Sequence, residues 1–223
     1  MNTFYPQLMQ SILFQGMDEL QMHSILNCLK ATIKEYQKDE YIFYMGDKIS
    51  SMGLVLSGSV HLSKEDYWGR KTILAEISPC NLFAESFACS KENSPLNCYA
   101  AKNSLIMFLD IKKVLSVCSN SCIFHNTLIK NFVSVLAEKN IGLNTKIENL
   151  SQKTTKDKIL AYLSNQSQLQ KSSEFIIPFN RQELADYLSV DRSAMSLELG
   201  KLQKQGIIDF HKNKFIIKNK ELF

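Results

Sequence analysis

The most informative stretch of this sequence is NRQELADYLSVDRSAMSLELGKLQKQGIID, which spans residues 180–209. It contains two short amphipathic runs separated by a polar step at residues 189–191, and the second run closes at Gly206. Apolar residues recur at three- and four-residue steps in both runs, which is the period of a helix with one buried face. The stretch therefore predicts two helices joined by a tight turn.

Both predicted helices begin with residues that cap helix N-termini. Asn180 and Glu183 have the spacing of a capping box, in which the first side chain accepts from the helix backbone and the second reaches back to the cap. Asp191 can cap the second helix. The core-facing residues that follow from this placement are Leu184, Tyr187 and Leu188 in the first helix and Met195, Leu199 and Leu202 in the second.

The segment after Gly206, IIDFHKNKFIIK, has strand-forming residues on both sides of Lys212-Asn213 and predicts a β-hairpin. Two helices with a tight step between them, followed by a β-ribbon, define a winged helix-turn-helix. In that motif the second helix enters the major groove of DNA, and its first turn meets the base edges.

Three polar residues, Arg192, Ser193 and Ser196, share an exposed face on the first turn of the second helix. Arg192 can donate two hydrogen bonds to O6 and N7 of guanine, a contact worth about 1–3 kcal/mol of discrimination. Basic residues elsewhere in the motif suit phosphate contacts, which position the protein without reading sequence. The alternative is a polar face that only contacts water. The predicted DNA-contacting residues are Arg181, Gln182, Arg192, Ser193, Ser196, Lys201, Lys212 and Lys214.

The charge of the chain is unevenly distributed. Its net charge of +4 lies entirely in residues 151–223, which carry 12 Lys or Arg against 8 Asp or Glu, whereas residues 1–150 carry 14 of each. A basic module beside a neutral one suggests a polyanionic partner. No apolar run approaches the roughly 20 residues that span a membrane, and the N-terminus lacks the features of a secretory signal. We therefore expect a cytoplasmic protein.

The N-terminal part of the chain has a different pattern. Residues 5–34 predict amphipathic helices, and residues 41–109 contain short apolar runs separated by turn signals. Several short strands at this spacing indicate a small antiparallel sandwich or barrel. The expected fold class is α+β, with domains at 1–121 (sensing), 122–150 (long helix) and 151–223 (winged helix-turn-helix).

The predicted long helix carries an apolar stripe whose steps sum to heptads. A helix of this length with one narrow apolar seam usually has a partner, often its own copy. The alternative is a helix that lies on the strands of its own chain. The residues predicted to form a dimer interface are Ile129, Phe132, Leu136, Leu143 and Ile147.

The stretch FNRQELADYLSVDRSAMSLELGKLQKQGII resembles the DNA-binding motif of the CRP/FNR (cyclic-AMP receptor protein / fumarate-nitrate regulator) superfamily of bacterial transcription regulators. Upstream, YIFYMGD and MGLVLSGSVHLSKEDYWGRKTILAEISPCNLFAES resemble the effector-binding β-roll of that family. The resemblance implies a cupin-like β-roll of the cyclic-nucleotide-binding type and a dimerisation helix. It also implies a homodimeric regulator that binds a pseudo-palindromic site on double-stranded DNA and has RNA polymerase as a partner.

The resemblance weakens where the effector would bind. Cyclic-nucleotide-binding members carry a glycine-glutamate pair before a short helix and an arginine-serine pair after it. This chain has Ala84-Glu85 at the first place and Pro95-Leu96 at the second, and no arginine occurs between Arg70 and Arg181. Without that cation a buried phosphate lacks a side-chain counter-charge, so we expect that cyclic AMP is not the effector. The resemblance places the effector pocket at Phe83, Ala84, Glu85, Ser86, Leu96 and Asn97.

One cysteine-histidine group could sense metal or redox state. Cys118 and Cys122 share a helix face at i, i+4, and His125 lies three residues further. Thiolate and imidazole suit zinc, haem or a cluster, and the two thiols could act as a redox pair. Against this, only three ligands are present, and cysteine also packs as a small apolar residue. Metal and cofactor remain unassigned.

Two rival functions come from other classes. A nucleotide-regulated enzyme would need catalytic motifs, but no Walker phosphate loop, kinase signature or G-x-S-x-G occurs, so we expect no enzymatic activity. A winged-helix protein-interaction module, or a nucleotide-responsive regulatory subunit without direct DNA readout, is the alternative. The recognition helix also departs from better-known family members, with Ser193 where glutamate is common and Leu197 where a second arginine is common. We therefore expect one guanine contact per half-site.

Overall fold

The computed structural model describes residues 4–65, 67–68, 71–90, 92–116 and 123–218. The chain forms two compact units, Met1–Ala137 and Glu138–Phe223. The division falls inside the long helix, whereas the sequence suggested boundaries at its two ends. Among the residues described, no helix combines the length and apolar character needed to cross a membrane.

The N-terminal unit combines short helices with eight strands. The helices are α1 (Tyr5–Gln10), α2 (Glu19–Leu29), α3 (Glu85–Ser90), α4 (Ile111–Leu115) and the first half of α5 (Ile123–Ser151), with a 3-10 turn at Ile12–Phe14. The strands are β1 (Thr32–Tyr36), β2 (Tyr41–Phe43), β3 (Ser51–Ser57), β4 (Val60–Glu65), β5 (Lys71–Ile77), β6 (Leu82–Phe83), β7 (Asn97–Ala100) and β8 (Ser104–Asp110).

These strands form two antiparallel four-stranded sheets, in the orders β1-β8-β3-β6 and β2-β7-β4-β5. One buried cluster joins them, with Val55 and Ile106 from the first sheet and Val60 and Cys98 from the second. The predicted antiparallel β-roll is therefore confirmed, and apolar side chains fill its interior.

The other face of the first sheet is covered by helices. Because side chains alternate along a strand, Met52 and Leu54 of β3 point away from Val55 and join a second cluster with α1, α2 and α5. Helix α5 contributes Leu128, Phe132 and Val135 to this cluster.

Phe132 is only 2% exposed inside its own unit, so its assignment to a dimer interface is corrected. Its ring packs in the core of the chain and has almost no surface left for a partner. The amide of Asn131 fixes this part of α5 further, because its Nδ2 donates to the carbonyl oxygens of Leu13 (3.1 Å) and Gln15 (2.8 Å).

The C-terminal unit contains the rest of α5 and the predicted winged helix-turn-helix. Its elements are α6 (Thr155–Gln170), β9 (Glu174–Ile176), α7 (Arg181–Leu188), α8 (Arg192–Lys204), β10 (Ile208–His211) and β11 (Lys214–Ile217). The strands pair antiparallel in the order β10-β11-β9. In this unit Asn165 Nδ2 donates to Oδ1 of the buried Asn149 (3.0 Å), which ties α6 to the end of α5.

Candidate nucleic-acid interface

The start of α7 is held by the capping box that the sequence predicts. Asn180 Oδ1 accepts from the backbone N–H groups of Gln182 (2.9 Å) and Glu183 (3.0 Å), and Glu183 Oε2 accepts from the Asn180 N–H (2.7 Å). Both ends of the box are therefore satisfied, and α7 begins at a fixed residue.

The turn between α7 and α8 is equally well defined. Ser189 adopts a left-handed conformation (φ 50°) that ends α7, and Lys158 Nζ donates to the carbonyl oxygen of Leu188 (3.1 Å). Asp191 Oδ1 then accepts from the Ala194 N–H (2.8 Å) and caps α8. As a result Arg192 is the first residue of the helix.

The two faces of α8 have different surroundings. Met195, Leu199 and Leu202 are buried in the core of the C-terminal unit, as predicted. The opposite face of the first two turns is exposed and consists of Arg192, Ser193, Ser196 and Leu197. This orientation leaves the predicted base-reading residues accessible to a duplex.

Two details of that exposed face were not evident from residue type. Ser196 Oγ donates to the carbonyl oxygen of Arg192 (2.8 Å), so its hydroxyl remains available chiefly as an acceptor. Leu197 is 62% exposed and is an apolar residue on a polar face. Its position four residues after Ser193 was the sequence signal that could have added it to the candidate site.

Arg181 connects α7 to the wing, the β10–β11 hairpin. Its guanidinium carbon lies 4.5 Å from the ring centre of Phe210 and 5.2 Å from that of Phe215. Burial lowers the pKa of this guanidinium below its ordinary value. Contacts of a guanidinium with aromatic faces are favourable, so Arg181 both positions the wing and carries charge at its edge.

A cleft of about 730 Å³ separates the start of α7, the start of α8 and the turn of the wing. Its lining brings together four predicted DNA-contacting residues: Arg181, Gln182, Arg192 and Lys212. Lys212 occupies the wing turn in a left-handed conformation (φ 53°). Its neighbour Asn213 holds that turn, because Asn213 Nδ2 donates to the Ile177 carbonyl oxygen (3.2 Å).

The other two predicted cations lie outside this cleft and are paired with carboxylates. Lys201 contacts Glu198 (2.6 Å), and Lys214 contacts Glu174. Both pairs are exposed and cost little to rearrange, but they reduce the positive charge that each lysine presents. Asp209 holds the base of the wing, because it accepts hydrogen bonds from Lys218, Gln203 and the Phe210 N–H. These hydrogen bonds lower the pKa of Asp209 to about 2.

The residues assigned to an effector pocket in the N-terminal unit lie in or beside the filled roll. A methyl group placed on Gly53 would lie only 2.2 Å from the Phe83 ring, so this ring packs directly on the strand. Ala84 has a φ of 62°, a conformation that suits the glycine found there in cyclic-nucleotide-binding proteins. Asn97 Oδ1 accepts from the Met45 N–H (2.7 Å).

The expected nucleotide site lacks a cationic side chain at its phosphate position. Pro95 and Leu96 stand where the phosphate-binding pair would be, and neither carries a charge. Phe83, Ala84, Glu85 and Asn97 are buried, whereas Ser86 is exposed and Leu96 is partly buried.

His125 is buried and hydrogen-bonded to α4 through one ring nitrogen. It is 1% exposed, and its Nε2 donates to the carbonyl oxygens of Lys113 (2.7 Å) and Val114 (3.2 Å). That nitrogen is therefore not available to a metal. Cys118 and Cys122 lie outside the described residues, and among the residues that are described no three His, Cys, Asp or Glu side chains cluster as a metal site.

A β-roll unit followed by a winged helix-turn-helix with an accessible recognition helix is the architecture of a DNA-binding protein. Two family models match the chain, a cyclic nucleotide-binding domain over residues 33–121 and a Crp-like helix-turn-helix domain over residues 157–222. The chain belongs to the CRP/FNR superfamily and is a DNA-binding transcription regulator.

Solved structures share the fold. The catabolite activator protein of Thermus thermophilus is 21% identical to this chain. The match covers 95% of this chain and 96% of that protein, with a TM-score of 0.54. CprK complexed with OCPA is 16% identical, with 89% and 91% covered and a TM-score of 0.63. FixK2 from Bradyrhizobium japonicum is 20% identical, with 86% and 94% covered and a TM-score of 0.50. Among curated proteins, none matches this chain.

Proposed function

We propose that this protein is a homodimer that reads a pseudo-palindromic site in double-stranded DNA with α8 and responds to a small-molecule, redox or metal signal. The observation that carries this proposal is the exposed first turn of α8 beside a cationic cleft. A recognition helix docks with its first turn toward the base edges, and this end of α8 is open to solvent.

Base reading is assigned to the outward face of α8. Arg192 donates to a guanine, Ser193 bonds to an adjacent base or phosphate, and Ser196 accepts from a base amino group. Leu197 adds an apolar contact of the kind that thymine methyl groups receive. Each half-site then has one guanine-specific contact, with a thymine beside it.

Phosphate contacts are assigned to the cleft and the wing. Arg181, Arg192 and Lys212 line one concave surface, and such clusters neutralise backbone phosphates without reading sequence. Gln182, at the start of α7, can bond to a phosphate oxygen of the same strand. Lys201 and Lys214 contribute after exchanging their carboxylate partners for phosphate.

Dimerisation is assigned to an unbroken heptad seam on α5. Its members recur at alternating steps of four and three, the spacing of a and d positions in a coiled coil. Three of its members are well exposed: Val133 at 58%, Leu143 at 60% and Ile147 at 65%. The seam consists of Ile129, Val133, Leu136, Asn140, Leu143, Ile147 and Leu150.

Asn140 is the polar residue in this seam, and its Oδ1 accepts from Asn144 Nδ2 (3.0 Å). A polar residue at one a position specifies register in coiled coils. In a parallel dimer Asn140 would face its own copy and align the two winged helices on a symmetric operator. Two linked modules bind far more tightly than one.

The family also supports RNA polymerase as a further partner and the bacterial cytoplasm as the location. The rival to DNA reading is a winged helix that binds protein. A gel-shift titration with a mixed-sequence duplex between 50 and 200 mM salt separates the two. With about six phosphate contacts per dimer, affinity should fall about 10³-fold over this range. An affinity that does not change with salt would contradict DNA binding.

A further inference from the structure

A cavity of about 510 Å³ in the N-terminal unit lies outside the interior of the roll. Three elements form it: the loop between β2 and β3, helix α3 and helix α4. Its floor is Ile49, Ala88 and Ile111, and its rim carries Lys48, Cys89 and Lys112. Cavities of this size hold small organic molecules.

The floor of the cavity is part of the folded core. Ala88 and Ile111 are 5% and 4% exposed and belong to the cluster beneath the helices. Ile49 packs against both buried clusters of the unit. Because core residues hold it in place, this apolar floor exists before any ligand arrives, which limits the ordering cost of binding.

The rim supplies positive charge from two separate elements. Among the residues that the structure describes, neither the Lys48 nor the Lys112 ammonium pairs with a carboxylate. Two carboxylates close to these lysines in the sequence accept backbone hydrogen bonds: Asp47 Oδ2 accepts from the Tyr44 N–H and Asp110 Oδ1 from the Lys112 N–H, both at 2.8 Å. Burial and then Glu85 raise the pKa of the Cys89 thiol, so the cysteine adds no negative charge.

We infer that this cavity binds a small organic anion with an apolar body, and that it, rather than the roll interior, is the effector site. The apolar floor suits the body of the ligand, and the two ammonium groups suit a carboxylate or sulfonate. Its role as an effector site rests on the proposed regulatory function; the binding itself does not.

The cavity is linked directly to the long helix. Ile111 and Lys112 belong to α4, and the next two residues of α4 offer the carbonyl oxygens that accept from His125 Nε2 at 2.7 and 3.2 Å. His125 lies in the first turn of α5. A ligand that shifts α4 therefore moves an acceptor of a buried hydrogen bond to α5, and His125 is the positioning residue between them.

Two fluorescent probes test the site. One is 8-anilinonaphthalene-1-sulfonate, an apolar body with one negative charge; the other is N-phenyl-1-naphthylamine, which has a similar body and no charge. We expect Lys48→Gln/Lys112→Gln to weaken binding of the sulfonate about tenfold, because both of its exposed charge contacts are lost. Binding of the neutral probe should not change.

The matched control is Lys38→Gln/Lys64→Gln, which removes two exposed lysines of the same unit that do not line the cavity. It should leave the affinity for both probes unchanged. Alkylation by iodoacetamide, mapped by mass spectrometry, adds a footprint: the sulfonate should protect Cys89 and leave the exposed Cys28 reactive. Equal sulfonate affinity in the wild type and Lys48→Gln/Lys112→Gln, or an unprotected Cys89, would overturn the assignment.

Hydrogen exchange tests the link to α5 without depending on DNA. The sulfonate should slow exchange of α4 and of the first half of α5 in the wild type, but only of α4 in His125→Phe. His125→Gln keeps a donor and should restore the effect on α5. A wild-type α5 that exchanges equally with and without the probe would overturn the link. A gel shift of the same preparations reports separately on whether the protein binds DNA.

Discussion

The winged helix and the β-roll of this protein preserve their family's chemistry to different degrees. The exposed end of α8 keeps Arg192 at its first position, beside Arg181 and Lys212 in one cleft. The roll keeps its strands and turns, and inside it the Phe83 ring packs directly on Gly53. Apolar side chains, and not a bound phosphate, pack the interior of the roll, so the fold can persist whether or not the family's ligand chemistry is kept.

The proposed dimer would link two winged helices, and linked modules bind far more tightly than one, so the largest expected effect comes from the seam. Leu143→Glu places like charges opposite each other in the proposed interface and should convert the dimer to a monomer. Specific DNA affinity should then fall by about 10²–10⁴-fold, the usual gain from linking two modules. Sedimentation and gel shift measure the two effects.

The control for the seam is Ile141→Glu, because Ile141 is also exposed on α5 (64%) but lies off the heptad positions. It should remain dimeric. A dimeric Leu143→Glu protein, or equal dissociation of both variants, would show that α5 does not form the interface in this register.

The packing of the roll predicts a large loss of stability on truncating its central ring. Phe83 is 1% exposed, and removing such a ring typically costs about 3–5 kcal/mol. Hydrogen exchange of β3 in Phe83→Ala should report a loss of this size. The partly buried Phe87, truncated in the same way, should cost less. A loss below about 1 kcal/mol for Phe83→Ala would mean that the interior is not packed around this ring.

Base contacts and phosphate contacts can be told apart by comparing the DNA affinities of two variants. Arg192→Ala should weaken binding to the preferred site by about 1–3 kcal/mol and largely spare other sequences. Lys212→Ala should weaken both by a similar factor and lower the salt slope by about 1. Competition gel shifts with specific and mixed duplexes distinguish them. Equal losses on both duplexes for Arg192→Ala would contradict base reading.

A smaller effect on stability is expected at position 84, where this chain has alanine and cyclic-nucleotide-binding members of the family have glycine. Ala84 holds a left-handed φ of 62°, which costs a non-glycine residue roughly 1–2 kcal/mol. Replacing Ala84 by glycine removes this cost, but glycine loses more conformational freedom on folding, which offsets part of the gain. Ala84→Gly should therefore stabilise the N-terminal unit by up to about 1 kcal/mol. Ala88→Gly, in right-handed helix α3, should destabilise it. Thermal unfolding compares them, and a destabilised Ala84→Gly would refute the strain.

The last expected effect is zero. A ligand that binds only the native state must raise the melting temperature. Because we expect cyclic AMP not to bind, it should leave the melting temperature of the protein unchanged. The sulfonate probe serves as the positive control in the same scan. A melting temperature that rises with cyclic AMP concentration would show that the roll still accepts a nucleotide.

Local sequence signals predicted the boundaries and the buried faces of α7 and α8. The capping box of Asn180 and Glu183 depends on residues three apart, and its hydrogen bonds form as the spacing requires. The buried face of α8 likewise follows from its period. Arg181 could not be placed in this way, because the rings that it contacts lie about 30 residues further along the chain.

The long helix shows why periodicity alone was insufficient. Its apolar residues form two stripes, and a list of spacings cannot tell which one faces the chain's own core. Phe132 was assigned to the interface but packs with Leu128 and Val135 inside the N-terminal unit. Val133, one residue later, lies on the exposed stripe. The cavity under Lys48 and Lys112 also required three separate elements to be brought together before it could be recognised.

The first turn of α8 is the part of the protein that we propose reads bases. Parallel selection from a random duplex library by the wild type and by Arg192→Ala tests this proposal most directly. The wild type should enrich a two-fold symmetric site with one strongly preferred guanine per half, and the variant should lose the preference at that position alone. Enrichment of the same sequences by both proteins, or of none by the wild type, would contradict it.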